Sequence, residues 1–269
     1  TIAVPPQYPQ WNARALFGGP VYDIQISPDH ANDGTLFATG EGGDAFTSND
    51  FGVSWSRLLP APALANAPLS ALRLSPVYTA AGSPAAIEAK TLFVCGLTSG
   101  VRKSNDRGAT FGAANAGLTG NGSGGVDCEG LALSPNYLAD HTVWALVAKY
   151  SATNSLEFFR SLDGGVSWTR LGSTIFGAPL IAISPAFAAD QTMYVSVGAN
   201  LYKSTDGGVT LPLRYSLANP IRQLVVSPNY AVDRTLLLSL SNSYQMYLST
   251  DGLASLSNLT THYPFTLNA

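Results

Sequence analysis

The sequence predicts an all-β protein assembled from five copies of one four-stranded antiparallel unit. Two signatures that alternate along the chain, and the strand-like runs between them, carry the prediction. The first reads SNDFGVSW from Ser48, SNDRGATF from Ser104, SLDGGVSW from Ser161, STDGGVTL from Ser204 and STDGLASL from Ser249, at spacings of 56, 57, 43 and 45 residues. The second precedes each copy of the first: SPDHANDGTL from Ser27, SPVY from Ser75, SPNYLADHTV from Ser134, SPAFAADQTM from Ser184 and SPNYAVDRTL from Ser227. Self-similarity of this kind marks a repeat architecture.

Within a unit the elements follow in a fixed order. The first strand ends on the Ser of the S-P motif and is the most uniformly apolar (IQIS, LRLS, LALS, IAIS, LVVS). That composition predicts an innermost strand buried on both faces. The S-P loop comes next, braced by Asp33, Asp140, Asp190 and Asp233, each six positions after the motif Ser. In the fourth copy TMYVSV from Thr192 gives the second strand, LYKS ending at Ser204 the third, and VTLPLRY the fourth. The S-x-D turn joins the third strand to the fourth. Its aspartates, Asp50, Asp106, Asp163, Asp206 and Asp251, are placed to accept backbone N–H bonds across the turn. The Gly two positions later permits positive φ, and the closing Trp caps the turn. Leu211 and Leu256 replace that Trp and Leu253 replaces that Gly, which predicts less regular turns in the fourth and fifth copies. Four short strands in about 45 residues form the blade of a β-propeller.

The S-x-D-x-G-x-x-W pattern resembles the BNR/Asp-box repeat families, which include sialidases, sortilin-type receptors, xyloglucan-cleaving hydrolases and photosystem assembly factors. The resemblance runs from about Val21 to Leu259. It implies a propeller and says little about activity, because such turns occur in enzymes and non-enzymes alike.

Five blades are expected, at about 21–60, 69–115, 126–172, 179–216 and 221–260 of one domain spanning 1–269, with 261–269 a tail. Trp11 precedes Ser27 by 16 residues, as Trp168 precedes Ser184 and Leu211 precedes Ser227. The stretch Trp11–Leu16, within 1–20, therefore reads as an outermost strand that joins the last blade and closes the ring. A partial sixth blade pooled from the two ends is the alternative.

Apolar residues make up 46% of the chain and charged residues 12%, with a net charge of −3 and no basic run. These values argue against a nucleic-acid surface. No apolar run reaches the roughly 18 residues needed to span a bilayer. The opening TIAVPPQYPQ has neither the basic nor the apolar segment of a signal peptide, and a start at Thr1 suggests a processed chain. With low charge and abundant Ser, Thr and Asn, the expected setting is extracellular or the cell surface. Neither Cys95 nor Cys128 has a second ligand at metal spacing. They are either a disulfide or two free buried thiols. Asn121 (NGS) and Asn258 (NLT) match the glycosylation sequon.

The repeat assigns nine of the 17 acids to loops and turns. The face opposite the two motifs carries variable loops, the default binding surface of a rigid scaffold. Glu41, Asp44, Asp127, Glu129, Lys149, Tyr150, Glu157 and Tyr215 fall there, with Arg222 nearby at a strand start. Asp127 and Glu129 flank Cys128 at the mouth of an innermost strand and form the best local candidate. Sialidase chemistry would need an arginine clamp. Arg14 lies in no matching motif, Arg73 and Arg222 have no third counterpart, and Arg102, Lys103, Arg160 and Lys203 read as exposed blade-side cations. The histidines, His30, His141 and His262, accompany no G-x-S-x-G sequence. The calcium-loop spacing fails at Ala31.

The sequence thus points to a non-catalytic extracellular module that binds a glycan or protein ligand, or copies of itself, without a cofactor or metal. The alternative is a small glycosidase using paired carboxylates drawn from Glu41, Asp44, Asp127 and Glu129.

Overall fold

The computed structural model describes residues 20–40, 43–58, 68–80, 82, 86–120, 125–149, 155–175, 179–241, 243 and 245–259. They form five four-stranded antiparallel sheets, each with its strands in chain order, arranged as the blades of a β-propeller. Blade 1 holds β1 (Val21–Ile26), β2 (Leu36–Gly40), β3 (Ala45–Ser48) and β4 (Ser56–Arg57). Blade 2 holds β5 (Leu69–Leu74), β6 (Leu92–Gly96), β7 (Gly100–Ser104) and β8 (Gly112–Ala113). Blade 3 holds β9 (Asp127–Leu133), β10 (Val143–Lys149), β11 (Ser155–Ser161) and β12 (Thr169–Ile175). Blade 4 holds β13 (Pro179–Ile183), β14 (Met193–Val197), β15 (Asn200–Ser204) and β16 (Leu213–Ser216). Blade 5 holds β17 (Ile221–Val226), β18 (Leu236–Leu240), β19 (Met246–Ser249) and β20 (Ser257–Asn258). The expected closing strand, Trp11–Leu16, lies outside the described residues.

The two motifs build one face. In the S-P loops of blades 1, 3, 4 and 5 the Asp accepts from its motif Ser Oγ at 2.6–2.8 Å and from the Thr backbone N–H two residues on at 2.8–2.9 Å. Blade 2 lacks that Asp and carries a 3-10 turn, Ile87–Lys90, in its place. Every S-x-D turn docks on the S-P loop of its own blade through one backbone bond. The pairs are Phe51 to Gly34, Arg107 to Lys90, Gly164 to His141, Gly207 to Gln191 and Gly252 to Arg234, at 2.9–3.0 Å.

The turns themselves are uniform. In each, the Asp accepts from the Ser two before it and from the backbone N–H four after it, while the Ser Oγ accepts from the residue two beyond the Asp. The expected irregularity of the fourth and fifth turns is therefore not found. In the fifth, Leu253 simply takes the left-handed conformation, φ 72°, that Gly takes elsewhere. Burial offsets that strain, since Leu253 is 1% exposed in the core between blades 4 and 5.

Cores lie between blades, one at each of the four junctions along the chain. The innermost strands pack in the order β1, β5, β9, β13, β17, and among the described residues no comparable packing joins β17 to β1. This corrects the expectation that every innermost strand is buried on both faces. Ile24 and Ile26 are 59% and 61% exposed, whereas Leu72 and Leu131 at the Ile24 position are 1% and 2% exposed.

Candidate functional site

The hairpins β2–β3, β6–β7, β10–β11, β14–β15 and β18–β19, with the connections between blades, make the face opposite the motifs. Four innermost strands enter it with the same irregularity. Register shifts leave Tyr22, Ser70, Glu129 and Arg222 out of the ladders, and each lies five residues before its motif Ser. Blade 4 has Pro179 there and pairs without a shift. A bulge bends its strand and re-aims the extra side chain. Because the innermost strands stand side by side, these positions ring the entrance to the central axis. Tyr22 and Arg222 are exposed; Ser70 and Glu129 are half-buried. Burial, with the charge of Asp127 beside it, pushes the Glu129 carboxyl above the usual carboxylate range. Among the described residues Glu129 has no hydrogen-bond or ion-pair partner.

The other described acids that the sequence placed on this face are engaged. Asp44 pairs with Arg57. Asp127 is buried, and its Oδ1 accepts from the Thr98 N–H, tying the β6–β7 hairpin to β9. Glu157, 8% exposed, accepts from Thr119 Oγ1 at 2.8 Å and pairs with Arg170 at 3.0 Å and Lys149 at 3.7 Å. Tyr215 packs into the core between blades 4 and 5 and donates its hydroxyl to Ala254 O at 3.2 Å. It therefore turns away from the other candidates. Glu41, Tyr150 and Asn121 lie outside the described residues, and Asn258 sits in β20. Of the predicted residues, the structure brings Glu129 and Arg222 to equivalent positions of one ring. It adds Tyr22 and Ser70, whose five-residue offset before the S-P motif is visible in the sequence.

Several expectations change. No disulfide joins Cys95 and Cys128: both are free and buried in the apolar core between blades 2 and 3, with Cys95 Sγ donating to Cys128 O at 3.4 Å. Burial pushes the Cys95 thiol well up, and its contact with Cys128 adds to this. Lys103, Arg160 and Lys203 are not free cations on a blade side. Each donates across a junction, to the carbonyls of Gly164 (2.9 Å), Gly207 (3.2 Å) and Gly252 (2.6 Å) of the next blade. Arg73 pairs with Asp23, linking β5 to β1. No metal-ligating cluster occurs among the described residues, and none of the described helices is long and apolar enough to cross a membrane. A cavity of about 480 Å³ between blades 1 and 2 lies on the motif face, where Asp33, Thr47, Asn49, Tyr78 and Arg107 line it. Asp33 and Arg107 are engaged there with loop backbone, so the cavity is separate from the ring of bulges.

No family model and no curated protein matches the sequence. Solved structures do. The chain is similar to an ancestral GH74 enzyme (15% identity, TM-score 0.66) over 91% of this chain and 31% of that one. It is similar to the GH74 enzyme of Niastella koreensis (20%, 0.64) over 90% and 37%. It is also similar to YCF48 bound to D1 peptide (12%, 0.62) over 93% and 70%. The chain thus spans about a third of the length of the two GH74 enzymes. At these identities the likeness is one of architecture, and the architecture is the β-propeller.

Proposed function

We propose that this propeller is a non-catalytic extracellular binding or assembly module. Its ligand, a protein segment or a glycan, sits at the mouth ringed by Tyr22, Ser70, Glu129 and Arg222. The five S-x-D turns are read as Asp-box turns whose role is to hold the scaffold. The observation that carries the proposal is the engagement of Asp44, Asp127 and Glu157, which leaves Glu129 as the unpartnered acid among the described residues of that face. An exposed cation, a ring hydroxyl and one carboxyl at fixed backbone positions suit recognition of a polar chain. The structure of YCF48 with a bound peptide supports a protein ligand for this architecture.

A second reading has one observation in its favour. A carboxyl held up by burial, as Glu129 is, is the form a glycosidase uses as general acid. It requires a second carboxylate across a cleft. The test is to screen the purified protein for turnover of sialosides, xyloglucan and aryl glycosides, and in parallel on oligosaccharide and peptide arrays. Retention on an array without turnover is expected. Turnover abolished by Glu129→Gln, with the fold intact, would replace the binding reading by the glycosidase.

A further inference from the structure

The junction between blades 1 and 2 departs from the other three, and its departures meet at the cavity of about 480 Å³ on the motif face. At the other junctions the residue before the turn Ser is a cation. It reaches the carbonyl of the Gly after the next blade's turn Asp: Lys103 to Gly164, Arg160 to Gly207 and Lys203 to Gly252. The long side chain fills the space between the blades there, with Lys103 Nζ 5.5 Å from the Phe93 ring centre and Lys203 Nζ 5.9 Å from that of Tyr194. Blade 1 has Thr47 at the cation position, and blade 2 has Arg107 at the Gly position. Thr47 is too short to cross, so the space stays open. The S-P loop of blade 2 is also longer: its closing backbone bond joins Ser75 to Thr91, where that of blade 3 joins Ser134 to Thr142.

The walls are held in place by the protein itself. Thr79 Oγ1 donates to Asp29 Oδ2 at 2.8 Å and the Ala80 N–H to Asp33 Oδ2 at 2.9 Å, which ties the long loop to blade 1. Arg107 donates to Thr79 O at 3.1 Å and to Gly82 O at 2.9 Å. Asp33 and Arg107 thus bring one charge of each sign, both engaged with loop backbone, and the lining has no net charge. Exposed Asn32 and Asn49 form its rim, and Tyr78, 2% exposed, its inner wall. Tyr78 meets Phe37 edge to face, so its hydroxyl finds no ring partner of the kind that Tyr230 finds in Tyr194. Among the described residues that hydroxyl makes no hydrogen bond, and neither do the Thr47 hydroxyl and the Asn49 amide N–H groups. Burial pushes Tyr78 up to about 12, while Arg107 pulls it down and Asp33 pushes it up by less, so the phenol remains a donor at neutral pH. A buried donor with no partner in the protein calls for a polar group within the cavity.

We propose that this cavity binds a neutral polyhydroxyl ligand, a single sugar unit. Its volume lies in the range of small-molecule sites, roughly 300–1,000 Å³. Sugar hydroxyls both donate and accept, as the Tyr78, Thr47 and Asn49 side chains do. An anion would face Asp33 and a cation would face Arg107, while the opposite charge is already engaged in each case. The site lies on the motif face, so it stands or falls independently of the ligand reading for the opposite face. Titration of the full, 15N-labelled chain with glucose, galactose, mannose and lactose into the tens of millimolar, followed by amide NMR shifts, tests it. At least one sugar should bind saturably, with a Kd on the order of 1 mM for a ligand of about a dozen heavy atoms. The shifts should centre on Thr47, Asn49 and Ala80. Glucuronate and glucosamine should bind at least about tenfold more weakly. Tyr78→Phe keeps the ring against Phe37 and should weaken binding by about tenfold. Thr47→Lys combined with Arg107→Gly restores the pair used at the other junctions and should abolish binding. If circular dichroism shows one of these proteins misfolded, the other carries the test. Three results overturn the proposal: no sugar shifts the spectrum, the shifts are confined to the loop face around Glu129 and Arg222, or the pair-restored protein binds with full affinity. Saturable binding of acetyl-asparagine amide in place of every sugar also overturns it, and assigns the cavity to a protein side chain.

Discussion

Replacing Asp163 by alanine removes the acceptor for three donors: Ser161 Oγ at 2.6 Å, the Ser167 N–H at 2.9 Å, and Ser167 Oγ. Ser161 is 1% exposed, so its hydroxyl loses a partner that water cannot readily replace. An orphaned buried donor costs about 1–2 kcal/mol, and turning the exposed Ser167 N–H over to water costs about 0.5 kcal/mol more. The expected loss is about 2 kcal/mol. For a chain of this size that lowers Tm by roughly 4–8 °C. Calorimetric or circular-dichroism melts at neutral pH measure it, with urea unfolding to check that the m-value is unchanged. Burial alone would raise the Asp163 pKa, but hydrogen bonds from Ser161, Ser167 and Val166 outweigh it and hold it at about 2. Since the folded pKa lies below the 3.8 of a free aspartate, the stabilisation is complete above that pH and is lost as pH falls through about 2. The gap between wild type and Asp163→Ala should therefore shrink between roughly pH 4 and pH 2. An Asp163→Ala protein with the wild-type Tm at neutral pH would refute the assignment of these aspartates to the turns.

Trp168 is 5% exposed between blades 2 and 3 and donates Nε1–H to Ala114 O at 2.8 Å. Trp168→Ala should cost about 3–5 kcal/mol by urea denaturation. Leu253→Gly relieves a positive φ worth about 1–2 kcal/mol but forfeits a buried side chain worth about 2–5 kcal/mol. A lower Tm is expected despite the better turn residue, and a higher one would show that the strain dominates. Tyr194 and Tyr230 share a hydroxyl–hydroxyl bond of 2.5 Å in the core between blades 4 and 5. Tyr194→Phe should cost about 1–2 kcal/mol, and a double-mutant cycle with Tyr230→Phe should show coupling rather than additivity.

Much of this architecture is legible in the sequence because each blade repeats its own chemistry. The Ser27–Asp33 and Ser161–Asp163 contacts close within a few residues, so fixed local spacing reports them faithfully. What crosses between blades is harder to read. Lys103 resembles an exposed cation until the bare Gly164 turn of the next blade is placed beside it. Ile24 resembles Leu72 in sequence and differs from it entirely in burial, because burial depends on whether a neighbouring blade is present. Asp127 and Glu129 are two residues apart, yet one pins a hairpin and the other occupies a bulge. Alternation along a strand does not reveal a register shift, although the recurrence of Tyr22, Ser70, Glu129 and Arg222 at one offset marks the position.

In the proposed function the turns hold the scaffold and the opposite loop face binds. The most direct test measures melting temperature and affinity together, on the peptide or oligosaccharide retained in the array screen, for Glu129→Gln, Arg222→Gln and Asp163→Ala. Loss of a charged contact at the mouth should weaken binding by roughly tenfold for each of the first two, since about 1.4 kcal/mol is a tenfold change, and should leave Tm unchanged. Asp163→Ala should lower Tm and retain the affinity of the wild type. If Asp163→Ala abolishes binding at an unchanged Tm while Glu129→Gln and Arg222→Gln bind normally, the roles of the two faces are reversed.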